Sequence, residues 1–409
     1  VKQQLNQLQE AKAMTAISNL EAHGIPVTGD GKLVKTTTVV QNVDQLRSLL
    51  DHGFDEAGRE AHYQALFGGV STPDGTGAGT AQRLAAHVIG NADLSEADKA
   101  QVAGAFPMTV NVLASPQTAG PLTVSSEYSL SSAGGPTIVT FTDVILEQGG
   151  YFVCRGTILS FTCNTLTRNG NTGNPGIADF NILGVTPATP PTPPAPAAPG
   201  QAAAGANGDC SSAGIAGRSA SNGNPGAPGT PGTAGTPGGT GVASQAATIK
   251  IQTALNNPIS IYSQSGNGGN GGNGGPGGVG QQGGNGGNGA TCDCTGNGAG
   301  NGGDGGHGGT GGAAGNGGNA TNAQGNIAVY VPAQADVQKV TFAPAPANPG
   351  NPGQPGPGGA GGAGGGKGSG GKNNGDGSAG GTGAPGGTGA QGQAGSHSGL
   401  PAQISVNLL

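Results

Sequence analysis

Few residues in this chain are of a type that can do chemistry. Five cysteines come first: Cys154, Cys163, Cys210, Cys292 and Cys294. Cys154 and Cys163 can close a hairpin, Cys210 can join one of Cys292 and Cys294, and one sulfur is left to cross-link subunits or stay free. As metal ligands, Cys292 and Cys294 with only His307 nearby fall short of a four-ligand zinc site. The six histidines, His23, His52, His62, His87, His307 and His397, make no His-Glu-x-x-His and no Glu-x-x-His pair, so they read as surface or satisfied helix residues. Gly366 to Lys372 has the outline of a phosphate loop, but Asn373 stands where Ser or Thr would hold magnesium, and no strand precedes it. Gly302 to Gly309 has the outline of a calcium-binding β-roll, yet Asp304 alone cannot supply the ligands. Asn319-Ala-Thr321 is a glycosylation sequon. No Ser, Cys or carboxylate constellation stands out, so the reading is non-enzymatic, with no cofactor and no metal.

Composition narrows the classes further. Of 409 residues, 89 are Gly and 29 are Pro, while charged residues make up 9% against about 25% in ordinary domains. A net charge of −6 gives no basic footprint for nucleic acid. No apolar run approaches the roughly 18 residues of a membrane span. With no Trp, 8 Phe and 5 Tyr, one large hydrophobic core is not available. The chain begins at Val1 without a signal-like apolar segment and reads as a mature form or a fragment; its Cys and Gly usage implies export.

The elements that must carry these residues change along the chain. Residues 1–106 read as a small helical domain. Leu5, Leu8, Met14, Ile17 and Leu20 form an apolar stripe before Gly24, and a second helix starts at Asn42, with Val43, Leu46, Leu49 and Leu50 inward and Gly53 after it. Phe54 to Phe67 and Ala81 to Ile89 are further helices, and Ser95 with Asp98 caps another ending near Phe106. Over 107–185 the period becomes two, through Val110, Val112, Leu122, Val124, Ile138, Val139, Phe141, Val144 and Ile145. This predicts an antiparallel β domain, with Tyr151 to Thr165 as a hairpin.

Residues 186–204 form a Pro-rich linker with Pro at every third position from Pro187 to Pro199, the repeat of a polyproline II helix. Over 205–409 Gly recurs at the same step. Gly268, Gly271 and Gly274 make one row and Gly269, Gly272 and Gly275 a second, with Asn270 and Asn273 on the third; Gly302, Gly303, Gly305 and Gly306 repeat the double row. A three-residue screw has no internal hydrogen bonds, so its backbone must bond to neighbours, and only Gly lets backbones approach closely. Double-Gly segments are thus expected inside a packed group, single-Gly segments at its rim, and Asn toward solvent or a partner. Gln281 and Gln282 are read as an interruption or turn. Period-two segments return at 247–263, 326–343 and 402–409.

Gly268 to Gly289 and Gly302 to Gly312 resemble the Gly-Gly-x blocks of polyglycine II proteins: tailed-phage tail-fibre adhesins, springtail antifreeze proteins and mycobacterial Gly-rich PE-type surface proteins. The resemblance covers 205–400 and none of the first 185 residues. It implies sandwiches of left-handed Gly helices on secreted or virion-surface proteins. The expected fold class is therefore multi-part α + β: a helical N-terminal domain, an antiparallel sheet, and bundled polyglycine II and polyproline II helices inserted between strands. Collagen triple helix and disordered loops are the rival structural readings, the first because Gly223 to Gly241 is a Gly-x-y run. The expected function is an extracellular structural protein that self-assembles into a filament, sheath or surface layer, its partners being other copies of itself. The alternative is an adhesin that binds a cell-surface receptor or glycan, or, with Thr230, Thr233 and Thr236 on one edge, an ice-binding surface.

Overall fold

The computed structural model describes residues 20–21, 25, 34–70, 78–114, 120–131 and 135–409. The stripe from Leu5 to Ile17, His23 and Gly24 lie outside them; Leu20 lies inside and is buried.

Two sheets face each other. Sheet A runs β1(Val34–Val40), β2(Met108–Ala114), β5(Thr137–Leu146), β7(Leu159–Arg168), β9(Ala247–Asn256), β11(Ile327–Val331), β13(Ile404–Leu408), with β3(Leu122–Val124) also on β5. Sheet B runs β12(Val340–Ala345), β10(Ile259–Gln264), β8(Phe180–Leu183), β6(Tyr151–Arg155), β4(Glu127–Ser129). Between them lies a core of Phe141, Phe152, Phe161, Phe180, Ile249, Ile261 and Val329.

Every strand pair except β1–β2 is parallel. That overturns the expected antiparallel sheet. The alternation of Val and Thr reports which residues point inward, but it is the same for either strand direction. Direction is set by the turns. Gly156, at φ +62°, sits in the short link between β6 and β7, which carries the chain from sheet B across to sheet A rather than back along the same sheet. Neighbours within a sheet are therefore one full coil apart, as in a solenoid. The expected Tyr151 to Thr165 hairpin is such a crossing.

The helical N-terminal domain is also corrected. Helices α1(Val43–Leu49), α2(Glu56–Phe67), α3(Ala78–Val88) and α4(Glu96–Val102) form no unit of their own. Their apolar side chains, among them Leu46, Leu49, Leu66 and Val88, share one core with Val110, Val112, Ile138, Ala328 and Tyr330 on the outer face of sheet A. Covered on both faces, β11 is buried at all five positions, as parallel strands between two layers are. Side chains of Asn42, Asp55 and Ser95 cap α1, α2 and α4 by accepting from backbone N–H groups three residues on. A fifth short helix, α5(Gln334–Val337), lies between β11 and β12.

The Gly-rich and Pro-rich segments are not bundled helices either. Over 186–246 and 266–323, and again over 346–403, the described residues include no α-helix. Instead, each return from sheet B to sheet A after β8, β10 and β12 is extended by a pair of irregular runs: r1 (186–208) and r2 (220–241), r3 (266–289) and r4 (297–323), r5 (348–371) and r6 (377–398). They bond at every third residue. Gly268, Gly271 and Gly274 of r3 donate to Asn348, Asn351 and Gln354 of r5 in parallel register, at 2.8 to 2.9 Å. Gly269, Gly272 and Gly275 donate to Gly239, Thr236 and Thr233 of r2 in antiparallel register, each at 2.8 Å. The same pattern links all six runs into two layers, r1–r3–r5 and r2–r4–r6, parallel within a layer and antiparallel between them.

Space at the Gly rows is the controlling quantity. A Cβ on Gly306 would overlap the carbonyl oxygen of Ala227, whereas one on Gly387 would meet nothing within 4 Å. Gly306→Ala is therefore expected to destabilise by about 1–3 kcal/mol, as overpacking does, and Gly387→Ala to leave the thermal midpoint unchanged. Parallel denaturation of the two variants checks this.

Candidate functional site

Three places combine polar chemistry with defined geometry: the Gly rows with their turns, a buried imidazole cluster, and the end of the sandwich at β12 and β13.

All ten Gly positions singled out from the sequence are backbone donors. Besides those of r3, Gly302 and Gly305 donate to Ser378 and Gly381 of r6, and Gly303 and Gly306 to Gly284 and Gln281 of r3, at 2.8 to 2.9 Å. Runs r3 and r4, which carry the double rows, each bond to four neighbours. Gln281 is not a turn. Its backbone N–H donates to Ala227 O, its Oε1 accepts from Ala227 N, and r3 continues through it. The third-row side chains do more than face solvent. Oδ1 of Asn270 accepts from Asn351 N at 2.9 Å, and Oδ1 of Asn285 from Gly366 N at 2.8 Å. Asp304 and His307 stand in the same role on r4, accepting from Gly381 N and Ala384 N.

The turns of the runs gather most of the charge of this region: Asp209, Arg218, Asp293, Lys367, Lys372 and Asp376. Arg218 approaches Asp209 at 3.9 Å, Lys367 pairs with Asp376 at 2.9 Å, and Lys372 Nζ donates to Asp293 O. Here Cys210 and Cys292 form a disulfide that ties the first turn to the second. Such a bond is compatible with an extracellular protein. Cys294 is free and exposed in the second turn. Cys154 and Cys163 do not pair with each other: one is on β6 in sheet B, the other on β7 in sheet A, and both are free and buried. Burial pushes the Cys154 thiol up to about 12, and burial with the nearby Asp143 carboxylate pushes Cys163 up as well.

The imidazole cluster was not legible from spacing, because its members come from distant segments. Nδ1 of His62 on α2 lies 2.8 Å from the Tyr330 hydroxyl on β11, and its Nε2 lies 3.2 Å from Thr248 Oγ1 on β9. Nζ of Lys250 donates to His52 O and sits 4.6 Å over the Phe54 ring. Burial, then the charges of Lys250 and Arg59, push His62 down to about 3. His52 is lowered too, by burial and then by His62, Lys250 and Arg59. These groups have the types of a proton relay, but His62 is 1% exposed, which closes it to a substrate. The cluster fastens helices to sheet A, together with Asn326, whose N–H and side-chain amide donate to Leu66 O and Gly68 O at the end of α2.

Among the described residues no group of three or more His, Cys, Asp or Glu can hold a metal ion, and no helix is long and apolar enough to cross a membrane. No protein family, curated protein or solved structure matches the chain.

At β12 and β13 the covered rows of each sheet reach strands that, among the described residues, pair on one side only. Ile261 of β10 is 1% exposed, but its neighbour Phe342 on β12 is 52% exposed. Val331 of β11 is fully buried, whereas its neighbour Leu408 on β13 is 49% exposed.

Two measurements follow from these sites. A thiol reagent is expected to modify one cysteine, Cys294, in the native protein, and three after denaturation without reductant. Because the two histidines are held neutral below their unfolded pKa of about 6.5, the stability they supply is complete above that pH and declines as pH falls toward 3. The thermal midpoint should drop between pH 7 and pH 4, and His62→Gln should flatten that drop.

Proposed function

We propose that this chain is a non-enzymatic extracellular structural protein that associates with further copies of itself. The observation that carries the reading is the uncovered apolar end of the sandwich, where Phe342, Leu408 and Leu409 are about half exposed beside rows that are otherwise buried. Strand β13 adds an edge with neither Pro nor charge, of the kind that accepts another strand. Burying such side chains is worth roughly 1.5–3 kcal/mol each. The resemblance of the Gly-Gly-x blocks to polyglycine II surface proteins and the Cys210–Cys292 bond support a secreted or surface setting.

The free edges of the Gly-rich layers contribute less to this association than their glycine content suggests. In r3 the row of Gly268 donates to the next run of its layer; the matching row of r5 begins with Pro349, Pro352 and Pro355, which have no N–H to offer, and returns to Gly at Gly358, Gly361 and Gly364. In r6 the matching row carries Ala379, Thr382, Pro385 and Thr388 rather than Gly. These residues blunt the layers as Pro and side chains blunt a sheet edge. The exposed apolar rows of the sheets support association there more than the partly blunted run edges do.

A second reading, a receptor-binding adhesin, is favoured by the turns. They concentrate charge at the end of nearly uncharged runs and are held by the disulfide.

Sedimentation and electron microscopy of the full chain test the first reading. Concentration-dependent oligomers are expected, and Phe342→Lys with Leu408→Lys should leave monomers with an unchanged thermal midpoint. Wild-type protein that stays monomeric at millimolar concentration would remove the assembly reading.

A further inference from the structure

The layer r1–r3–r5 presents a face whose chemistry is set by the rows beneath it. Its outward row on r3 includes Asn267, Asn270, Asn273, Asn285 and Asn288. In each of these five the Oδ1 is turned down onto a backbone N–H of r5, at 2.8 to 2.9 Å. An N–H can be met only by the carbonyl end of an amide, so chemistry fixes which way each side chain points. The Nδ2 groups are thereby left as outward donors. Only Asn273 uses its own, weakly, on Thr192 Oγ1 at 3.3 Å. Asn267, Asn270, Asn285 and Asn288 keep two N–H bonds each for a partner outside the chain. Successive donors recur at every third residue along the run.

The middle of the same row is apolar. Pro276 and Val279 interrupt the amides, and Val279 is 42% exposed. No charged residue occupies the outward rows of r1, r3 and r5. A flat, neutral face thus offers oriented donors at both ends and a strip of carbon between them.

We propose that this face binds a neutral polysaccharide chain. Hydroxyl and ring oxygens supply acceptors for the amide donors, and the C–H faces of sugar rings cover Pro276 and Val279. Other occupants fit worse. A second copy of the same face would set the fixed r3 donors against one another and leave them only the amide oxygens of Gln282, Asn348, Asn351 and Gln354 as partners. An acidic polymer would meet no cation on these rows, the adjacent Lys367 being paired with Asp376, and an apolar protein surface would strand the amides without partners.

The conservative variant is Asn→Asp, because the protein already uses Asp in this position: Asp304 Oδ1 accepts from Gly381 N at 2.7 Å on the opposite face. Asn270→Asp, Asn285→Asp and Asn288→Asp together keep the bonds between runs while replacing the outward donors with acceptors. The full chain is to be tested by pull-down on cellulose and chitin particles, and by calorimetry with cellohexaose and chitohexaose. Wild-type protein is expected to bind at least one of them, and the triple variant to lose about tenfold or more in affinity. The thermal midpoint should not move, and Asn301→Asp on the other face should bind as wild type. The proposal is overturned if wild type binds neither polymer, if the triple variant binds equally well, or if the substitutions abolish self-association rather than sugar binding.

Discussion

The requirement that every buried backbone N–H and C=O find a partner governs this protein more than any hydrophobic contact does. A run that makes no bonds to itself must export all of them. In r3 this means giving one N–H in three to r5 and one to r2, while accepting from r1, r4 and other neighbours. Glycine is placed by that demand, because two backbones in hydrogen-bond contact leave no volume for a Cβ. The few non-Gly residues in these rows fit the same logic: Ala314, Ala320 and Ala323 in r4 are small and buried. On r5 the row with no further run to donate to opens with Pro349, Pro352 and Pro355 and returns to Gly where it faces the carbonyls of r6, at Gly358, Gly361 and Gly364.

The sheets and the Gly-rich layers are two zones of one coil. Chain leaving β8, β10 or β12 enters an odd-numbered run, and chain leaving an even-numbered run enters β9, β11 or β13. Each zone keeps the register of the other. Ala247 pairs with Ile327 and Ile259 with Val340, while Gly268 bonds to Asn348. Apolar packing between sheets A and B thus fixes where the runs begin, and backbone bonding between runs holds the coils in step far from that core. The helices α1 to α3 serve the coil rather than stand beside it, since they close the outer face of sheet A.

Part of this was written plainly in the sequence. The three-residue phase of Gly268, Gly269 and their repeats named the donor rows, and Asn42, Asp98 and Leu46 marked real helical positions. Strand direction was hidden, because inward-facing residues alternate identically in parallel and antiparallel pairs. The coil was hidden for a different reason. Eighty residues separate the starts of β9 and β11, and seventy-seven those of β11 and β13, but a composition that repeats every three residues matches itself at almost any longer offset. The His62, Tyr330 and Thr248 cluster had no signal at all, its members being brought together only when sheet A forms. The Asn rows were read as facing solvent or a partner; that they accept from the next run of the same chain needed the register.

The Cys210–Cys292 bond has a mechanical meaning. It joins two turns 82 residues apart in sequence, so a pull on the ends of the chain passes through the sulfurs and bypasses everything between them. The shielded loop contains r2, r3 and the whole of β9 and β10, the strands with a neighbour on each side in sheets A and B. At roughly 3.3–3.6 Å per residue, about 270–290 Å of chain is withheld from extension. Tension that strips away the outer coils leaves this segment as a closed covalent ring.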